Sequence, residues 1–310
     1  MTITEPGQLI LVMLVAPFVC ALLVPLFGSR PNLRETISLV TASIAIISAL
    51  LLIGPILQGS RPAFEAVTIA PGLSIAFEVE PLGMLFATIA SILWLANSIY
   101  SIGYMRAHDE PRQTTFYVCF AIAFGSTIGI AFAANLFTLF LFYEALTLST
   151  YPLVTHHRTA EAMRGGRIYL LVLLGTSLLL LLPAIIATWL IAGTLDFTAG
   201  GILAGQAPPT LLAILLGLYV FGIGKAAVMP VHFWLPAAMV APTPVSAFLH
   251  AVAVVKAGVF AVLKVVVYVF GVDALAEMGQ SGWFTGVAGT TVILASLMAL
   301  RQDDLKRRLA

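Results

Sequence analysis

The sequence is short of charge and of cysteine. Only 9% of its 310 residues are Asp, Glu, Lys or Arg, against roughly a quarter in an ordinary soluble domain, so a soluble enzyme is excluded. The two cysteines, Cys20 and Cys119, lie in separate apolar runs with no partner at metal, haem or redox spacing. No disulfide scaffold or metal site is read from them, and packing is their expected role. A net charge of +1 describes no nucleic-acid binder. The nearly uncharged N-terminus lacks the basic region of a signal peptide, so the apolar run starting near Leu9 is read as a retained span.

What the chain has in abundance is apolar residues, 60% of the total, with a mean hydropathy of +1.05. The apolar runs exceed the roughly 18 residues needed to cross a hydrocarbon core about 30 Å thick as a helix. Expected spans are 9–27, 36–57, 81–104, 113–133, 135–154, 167–192, 210–238, 243–268 and 283–300, an all-α, polytopic membrane protein with nine transmembrane helices. Residues 302–310 read as the polar opening of a tenth, with Asp303 and Asp304 suited to a helix N-terminus, and the chain reads as cut short there. The 310 residues form a single membrane domain: a three-helix segment over 1–104, a five-helix unit over 113–268 and a final piece over 283–310.

Orientation follows from the basic residues, which are retained on the cytoplasmic side. Loops after the odd-numbered spans carry Arg30, Arg34, Arg106, Arg112, Arg158, Arg164, Arg167, Arg301, Lys306, Arg307 and Arg308, while the opposite side carries Arg61. The N-terminus is therefore expected outside. In the long loop from Gln58 to Glu80, alternating apolar residues around Pro71-Gly72 predict a hairpin with a structural role. Glu78 and Glu80 are read as solvated loop carboxylates, and His156 and His157 as solvated loop histidines rather than metal ligands.

Three lysines and a glutamate fall inside spans. Glu144 lies near the middle of the fifth, where a lone carboxylate costs several kcal/mol and needs a partner or a proton. Lys225 sits in Gly222-Ile223-Gly224-Lys225-Ala226-Ala227-Val228-Met229-Pro230, whose glycines and proline predict a broken seventh helix. Gly224 and Pro230 mark the break, with carbonyls freed around Ala226, and such breaks at membrane depth line polar cavities and ion sites. His250, Lys256 and Lys264 ride on the eighth span, at roughly 10 Å and 20 Å depth for the first two at 1.5 Å rise per residue. Six residues separate His250 from Lys256, about 240° of helix, so they point to different neighbours, while Lys264 is placed to snorkel to the far interface. Two readings stand side by side: a buried Glu144–lysine pair that fixes helix packing, or a relay in which a protonated carboxylate beside a neutral lysine approaches the ion pair in energy, so that a proton moves. The second is favoured, because more titratable groups gather with Thr147, Ser149 and Thr150 than one pair needs.

Phe142-Tyr143-Glu144-Ala145-Leu146-Thr147-Leu148-Ser149-Thr150-Tyr151-Pro152-Leu153-Val154 and Val231-His232-Phe233-Trp234-Leu235-Pro236-Ala237-Ala238-Met239, continued by Ala241-Pro242-Thr243-Pro244-Val245-Ser246-Ala247-Phe248-Leu249-His250, carry a resemblance. So does the closing Asp304-Leu305-Lys306-Arg307-Arg308-Leu309-Ala310. The chain resembles the antiporter-like membrane subunits of respiratory complex I, membrane-bound hydrogenases and Mrp-type sodium/proton antiporters. The resemblance implies a fold of about fourteen helices containing two inverted five-helix repeats, of which this chain carries the first and barely begins the second. It implies that Glu144 pairs with Lys225 and that His250 and Lys256 extend a water-filled proton path, with His232 and Lys264 as accessory groups. His250 with Lys256 leans toward the Mrp type. On that footing the expected function is a proton-translocating subunit of a multisubunit Na+/H+ antiporter in the plasma membrane, with other membrane subunits as partners and no cofactor, metal or redox chemistry of its own. The competing expectations are a proton-pumping subunit of an NADH:quinone oxidoreductase or related hydrogenase, an inorganic-carbon uptake subunit, and a non-conducting assembly scaffold.

Overall fold

The computed structural model describes residues 5–277, 279 and 282–310, apart from the side chains of 249–251. Among the described residues, seven helices are long and apolar enough to cross a membrane: α1, Pro6–Leu23, extended by a 3-10 turn to Phe27; α2, Pro31–Leu57; α3, Pro81–Ala107; α4, Gln113–Ala131; α5, Leu136–Val154; α6, Ala160–Ala192; and, further along, Gly282–Ala299. Proline opens α1, α2 and α3 at the first turn, where its missing N–H removes no helical hydrogen bond. The polytopic helical fold expected from the sequence is the one observed.

The sixth helix starts earlier than the apolar run suggests. Thr159 caps it by accepting from the Ala162 N–H at 3.1 Å, and Glu161 complements the first turn, so Arg164 and Arg167 lie on the helix rather than in the preceding loop. An apolarity criterion misses polar turns that protrude beyond the hydrocarbon. A π-helical turn at Ser177–Leu181 interrupts α6 midway.

The seventh expected span is broken, as its glycines and proline foretold. Helix α7, Pro209–Gly222, ends at Ile223, and chain direction is recovered only in the short helical segment α8, Val231–Val240. The eighth differs from expectation. It is two helices, α9, Thr243–Ala251, and α10, Val254–Lys264, the second passing into a π-helical stretch at Val265–Phe270. The interruption at Val252 and Ala253, where the Ala253 N–H reaches back to the Phe248 carbonyl at 2.9 Å, falls in a valine-rich run whose β-branched side chains favour helix weakly. The angular separation worked out for His250 and Lys256 on one straight helix therefore does not hold. Among the described residues, three further helices follow: α11, Val272–Glu277; α12, Gly282–Ala299, with no buried residue; and α13, Leu305–Leu309, capped by Asp304 through the Arg307 N–H at 3.1 Å.

The hairpin is present as β1, Ala63–Ala70, antiparallel to β2, Leu73–Glu78, with Phe64 opposite Phe77. It closes one end of the bundle. The Glu78 N–H donates to the Phe132 carbonyl at 2.8 Å and the Ala134 N–H to the Ala76 carbonyl at 3.0 Å, so the hairpin satisfies backbone groups at the α4–α5 turn. Asn135 joins the two pieces: its Oδ1 caps α5 through the Thr138 N–H at 2.7 Å, and its Nδ2 donates to the Ser74 carbonyl at 3.0 Å. The arginine-rich loops gather at the opposite end, where Arg34 donates to Gln113 at 2.6 Å, Arg106 pairs with Glu35, and Arg112 donates to the His156 carbonyl at 2.5 Å. Replacing Asn135 with Ala removes a buried cap and a buried tie together. We expect a loss of about 1–3 kcal/mol, read as a lower thermal midpoint of the detergent-solubilised protein, with Asn135→Asp recovering the cap alone.

Candidate functional site

Lys225 stands at the centre of the helix break. The last regular bond of α7 runs from the Ile223 N–H to the Tyr219 carbonyl at 2.9 Å, and a single 3-10 turn, Gly224–Ala226, carries the lysine. Ala227 then adopts left-handed backbone at φ 53°, which a side-chain-bearing residue rarely takes. The opened helix leaves carbonyls to be satisfied, and one is: the Trp234 indole donates to the Gly224 carbonyl at 2.9 Å. That Trp comes from α8, so the Gly224 carbonyl, which also accepts from the Ala227 N–H at 3.0 Å, pins the two halves of the broken helix together. Gly258 of α10 lies against this turn so closely that a Cβ there would sit 2.3 Å from the Ala226 nitrogen and 2.4 Å from the Lys225 carbonyl carbon. Helix α10 thus rests directly on the break because residue 258 has no side chain.

The lysine is fully buried. Its Nζ donates to the Tyr143 carbonyl at 2.8 Å and to Thr147 Oγ1 at 2.6 Å, and lies 3.2 Å from the Tyr143 ring centroid. The Tyr143 hydroxyl accepts from the Lys225 backbone N–H at 3.1 Å. Every one of these acceptors is uncharged. They hold the group in either protonation state, so the charge that balances its ammonium form must come through space.

Glu144 is placed to supply that charge. It follows Tyr143 on α5, and among the described residues neither of its carboxylate oxygens, both shielded from solvent, has a hydrogen-bond partner. It acts on Lys225 electrostatically, but no ion pair joins the two among the described residues. The direct Glu144–Lys225 pair expected from the resemblance is replaced by a cage from the neighbouring turn of the same helix. The sequence marks Thr147 as a polar neighbour of Glu144 and leaves Tyr143 without a role. The usable signal was spacing: residues 143 and 147 share a helix face, whereas 144 is turned about 100° from 143.

The remaining expected residues divide. His232, on α8, lines a cavity of about 260 Å³ with Ala226, Ala227 and Pro236, and its Nδ1 is shielded and without a hydrogen-bond partner among the described residues. Pro230 lies where the break ends, just before α8. His250 is in α9, but its side chain lies outside the described residues. Lys256 is exposed, in an apolar groove with Leu82, Leu85 and Phe86 of α3. Two residues from Gly258, it is turned about 200° from the face that meets the break, so it points away from Lys225.

Lys264 does not snorkel. It is 1% exposed, 2.7 Å from Glu80 Oε1 and 2.7 Å from the Ala133 carbonyl, with the Phe197 ring centroid at 4.4 Å. Glu80, expected in a solvated loop, is buried with it. The hairpin and the α4–α5 turn fold over this end of α10 and remove the water that snorkelling requires. The pair borders a polar cavity of about 390 Å³ that also includes Arg61, Glu78 and Tyr268. His156, also expected in solvent, is buried. Among the described residues no group of three or more His, Cys, Asp or Glu side chains is disposed to hold a metal ion.

Residues 133–310 match the family described as "NADH:quinone oxidoreductase/Mrp antiporter, TM". The chain belongs to this family. Across its whole length it is 30% identical to a probable K+/H+ antiporter subunit of Rhizobium meliloti (strain 1021), covering 31% of that protein. Over 77% of its length it is 33% identical to NAD(P)H-quinone oxidoreductase chain 5 of Picosynechococcus sp., covering 36% of it. The family member described here thus spans about a third of the length of these curated relatives. Its fold is similar to a chain of the Mrp complex from Dietzia sp. DQ12-45-1b, with TM-score 0.81, 26% identity, and coverage of 97% of this chain and 32% of that one. A chain of the archaeal membrane-bound sulfane sulfur reductase matches in fold at TM-score 0.82 and 22% identity, covering 97% of this chain and 61% of that one.

The Glu80–Lys264 pair gives a stability prediction. Lys264→Met strands a buried carboxylate and is expected to cost about 3–5 kcal/mol, measured by thermal unfolding in detergent. The double variant Glu80→Gln/Lys264→Met should recover a substantial part of that loss, because no charge is left unpaired.

Proposed function

We propose that this chain is a proton-translocating subunit of a multisubunit monovalent cation/proton antiporter, with Na+ as the exchanged cation. The observation that carries the reading is Lys225, a fully buried ammonium on a broken helix, held by neutral acceptors beside a carboxylate that has no hydrogen-bond partner among the described residues. Such a lysine keeps or loses its proton according to the charge on Glu144. Neutralising Glu144 removes the nearby countercharge and lets the proton leave; restoring the charge draws one back. His232, beside the break, supplies an imidazole through which a proton reaches Lys225. His250 and Lys256 are the further groups of the relay, the exposed Lys256 facing away from Lys225, and Lys264 with Glu80 anchors the far end of α10.

The naming of relatives as K+/H+ and Na+/H+ antiporter subunits supports the cation/proton reading. The exposed apolar α12 and the exposed Lys256 suit a protein that packs against other membrane subunits and lipid. The arginine-rich end is assigned to the cytoplasm by the positive-inside rule, which puts the N-terminus outside in a plasma-membrane location. A second reading, a proton-pumping subunit of an NADH:quinone oxidoreductase-type complex, is favoured by the similarity to chain 5 of such an enzyme. It uses the same relay, driven by electron transfer in other subunits.

The test is proton/sodium exchange in membrane vesicles carrying the chain with the products of its neighbouring genes. We expect sodium-dependent exchange in the wild type and background rates in Lys225→Ala at matched assembly. Exchange only when an electron donor is supplied would overturn the antiporter reading in favour of the redox-driven one. Exchange that survives Lys225→Ala would make the chain a scaffold.

A further inference from the structure

At the arginine-rich end, one carboxylate faces two histidines. Glu110, in the α3–α4 connection, presents Oε2 to His156 Nε2 at 3.4 Å and Oε1 to His157 Nε2 at 3.3 Å. His156 and His157 directly follow α5 and its cap Thr155. His156 is 5% exposed, with its Nε2 shielded from solvent and without a hydrogen bond, whereas the His157 side chain is 36% exposed. The charged groups facing His156 are Glu110, His157 and Arg112, whose guanidinium donates to the His156 carbonyl at 2.5 Å, and the Phe116 ring of α4 packs edge-on against the imidazole.

These contacts are too long for a closed ion pair. A charge-assisted N–H to carboxylate bond sits at about 2.7–2.9 Å, so Glu110 stands near both imidazoles at a longer distance than that. Glu110 contributes one negative charge, which balances one imidazolium. A second proton would meet the first and Arg112. Burial holds the His156 imidazole below its ordinary pKa, with Glu110 opposing that shift and His157 and Arg112 adding to it. His156 is therefore neutral at neutral pH and loads as the pH falls, and the solvent-exposed His157 gives the proton its way in.

The backbone marks the same place. Among the described residues, non-glycine residues in left-handed conformation are Asp109, Arg112, Arg158 and Ala227, at φ 45°, 56°, 54° and 53°. The first three frame this cluster and the fourth follows Lys225. Conformations of this kind are costly and persist where the surrounding structure imposes them, often at switch points.

We propose that Glu110, His156 and His157 form a proton-binding site outside the relay, one that takes a single proton and on doing so ties the α3–α4 connection to the end of α5. Because α5 also carries Tyr143, Glu144 and Thr147, closing this site holds the cage around Lys225 in one position, and the cluster sets the pH dependence of transport. That second consequence rests on the relay reading above; the proton binding does not.

The two parts are tested separately. In the purified chain, titration of the histidines by 15N NMR, assigned with His156→Gln and His157→Gln, should give two coupled steps. Glu110→Gln should lower the first midpoint by about one pH unit or more, the usual scale for removing an adjacent carboxylate. Histidines that titrate independently near 6.5 and ignore Glu110→Gln would overturn the site. In vesicles of the assembled complex, His156→Gln and Glu110→Gln should displace the midpoint of the exchange–pH profile while leaving the maximal rate within about twofold. A purely structural cluster would lower the rate at every pH with the midpoint fixed, which would overturn the regulatory role. Absence of exchange in the wild type would count against the relay reading, and the NMR titration would still decide the binding site.

Discussion

An ammonium group without water must find acceptors in the protein, and the arrangement of the central helices follows from how Lys225 finds them. A helix passing uninterrupted through residue 225 would commit its backbone groups to itself. Breaking it after Gly222 frees a carbonyl for Trp234 and turns the lysine onto the Tyr143 carbonyl, the Tyr143 ring and Thr147. The break in turn demands a close neighbour, and Gly258 lets α10 fill that place. One buried charge thus explains the glycines, the tryptophan and the threonine as parts of one solution.

The same constraint distinguishes the two ends of α10. Lys264 has its countercharge in contact, 2.7 Å away on Glu80, and is closed over by the hairpin and the α4–α5 turn. That is the chemistry of an anchor, since the ammonium lies directly against its countercharge. Lys225 has its countercharge displaced and its direct contacts neutral. A group in that state is sensitive to its surroundings, and sensitivity is what a relay requires.

Much of the fold was legible because membrane insertion imposes few rules and imposes them strongly. Long apolar runs, proline at the first helical turn, glycines around a lysine and arginines on alternate loops are local features, and each predicted its element: the long helices, the broken seventh span, the Pro71-Gly72 hairpin, the end where arginines gather. Failures came where a local rule met a distant neighbour. The interruption at Val252 and Ala253 has no proline to announce it. The polar start of α6 is helical because Thr159 caps it, which hydropathy does not see.

That the protein is a bundle of helices apolar enough to span a membrane, with a break beside Lys225, could be read from the chain alone, because apolar run length and the placement of glycine and proline are local properties. Which groups touch was settled by the packing of the folded chain. It turned Lys225 onto Tyr143 and Thr147 rather than onto Glu144, closed Glu80 over Lys264, faced Lys256 outward and drew His156 and His157 around Glu110. Those choices rest on helix rotation and on which loop folds over which helix end, and both are set by packing between segments far apart in the chain.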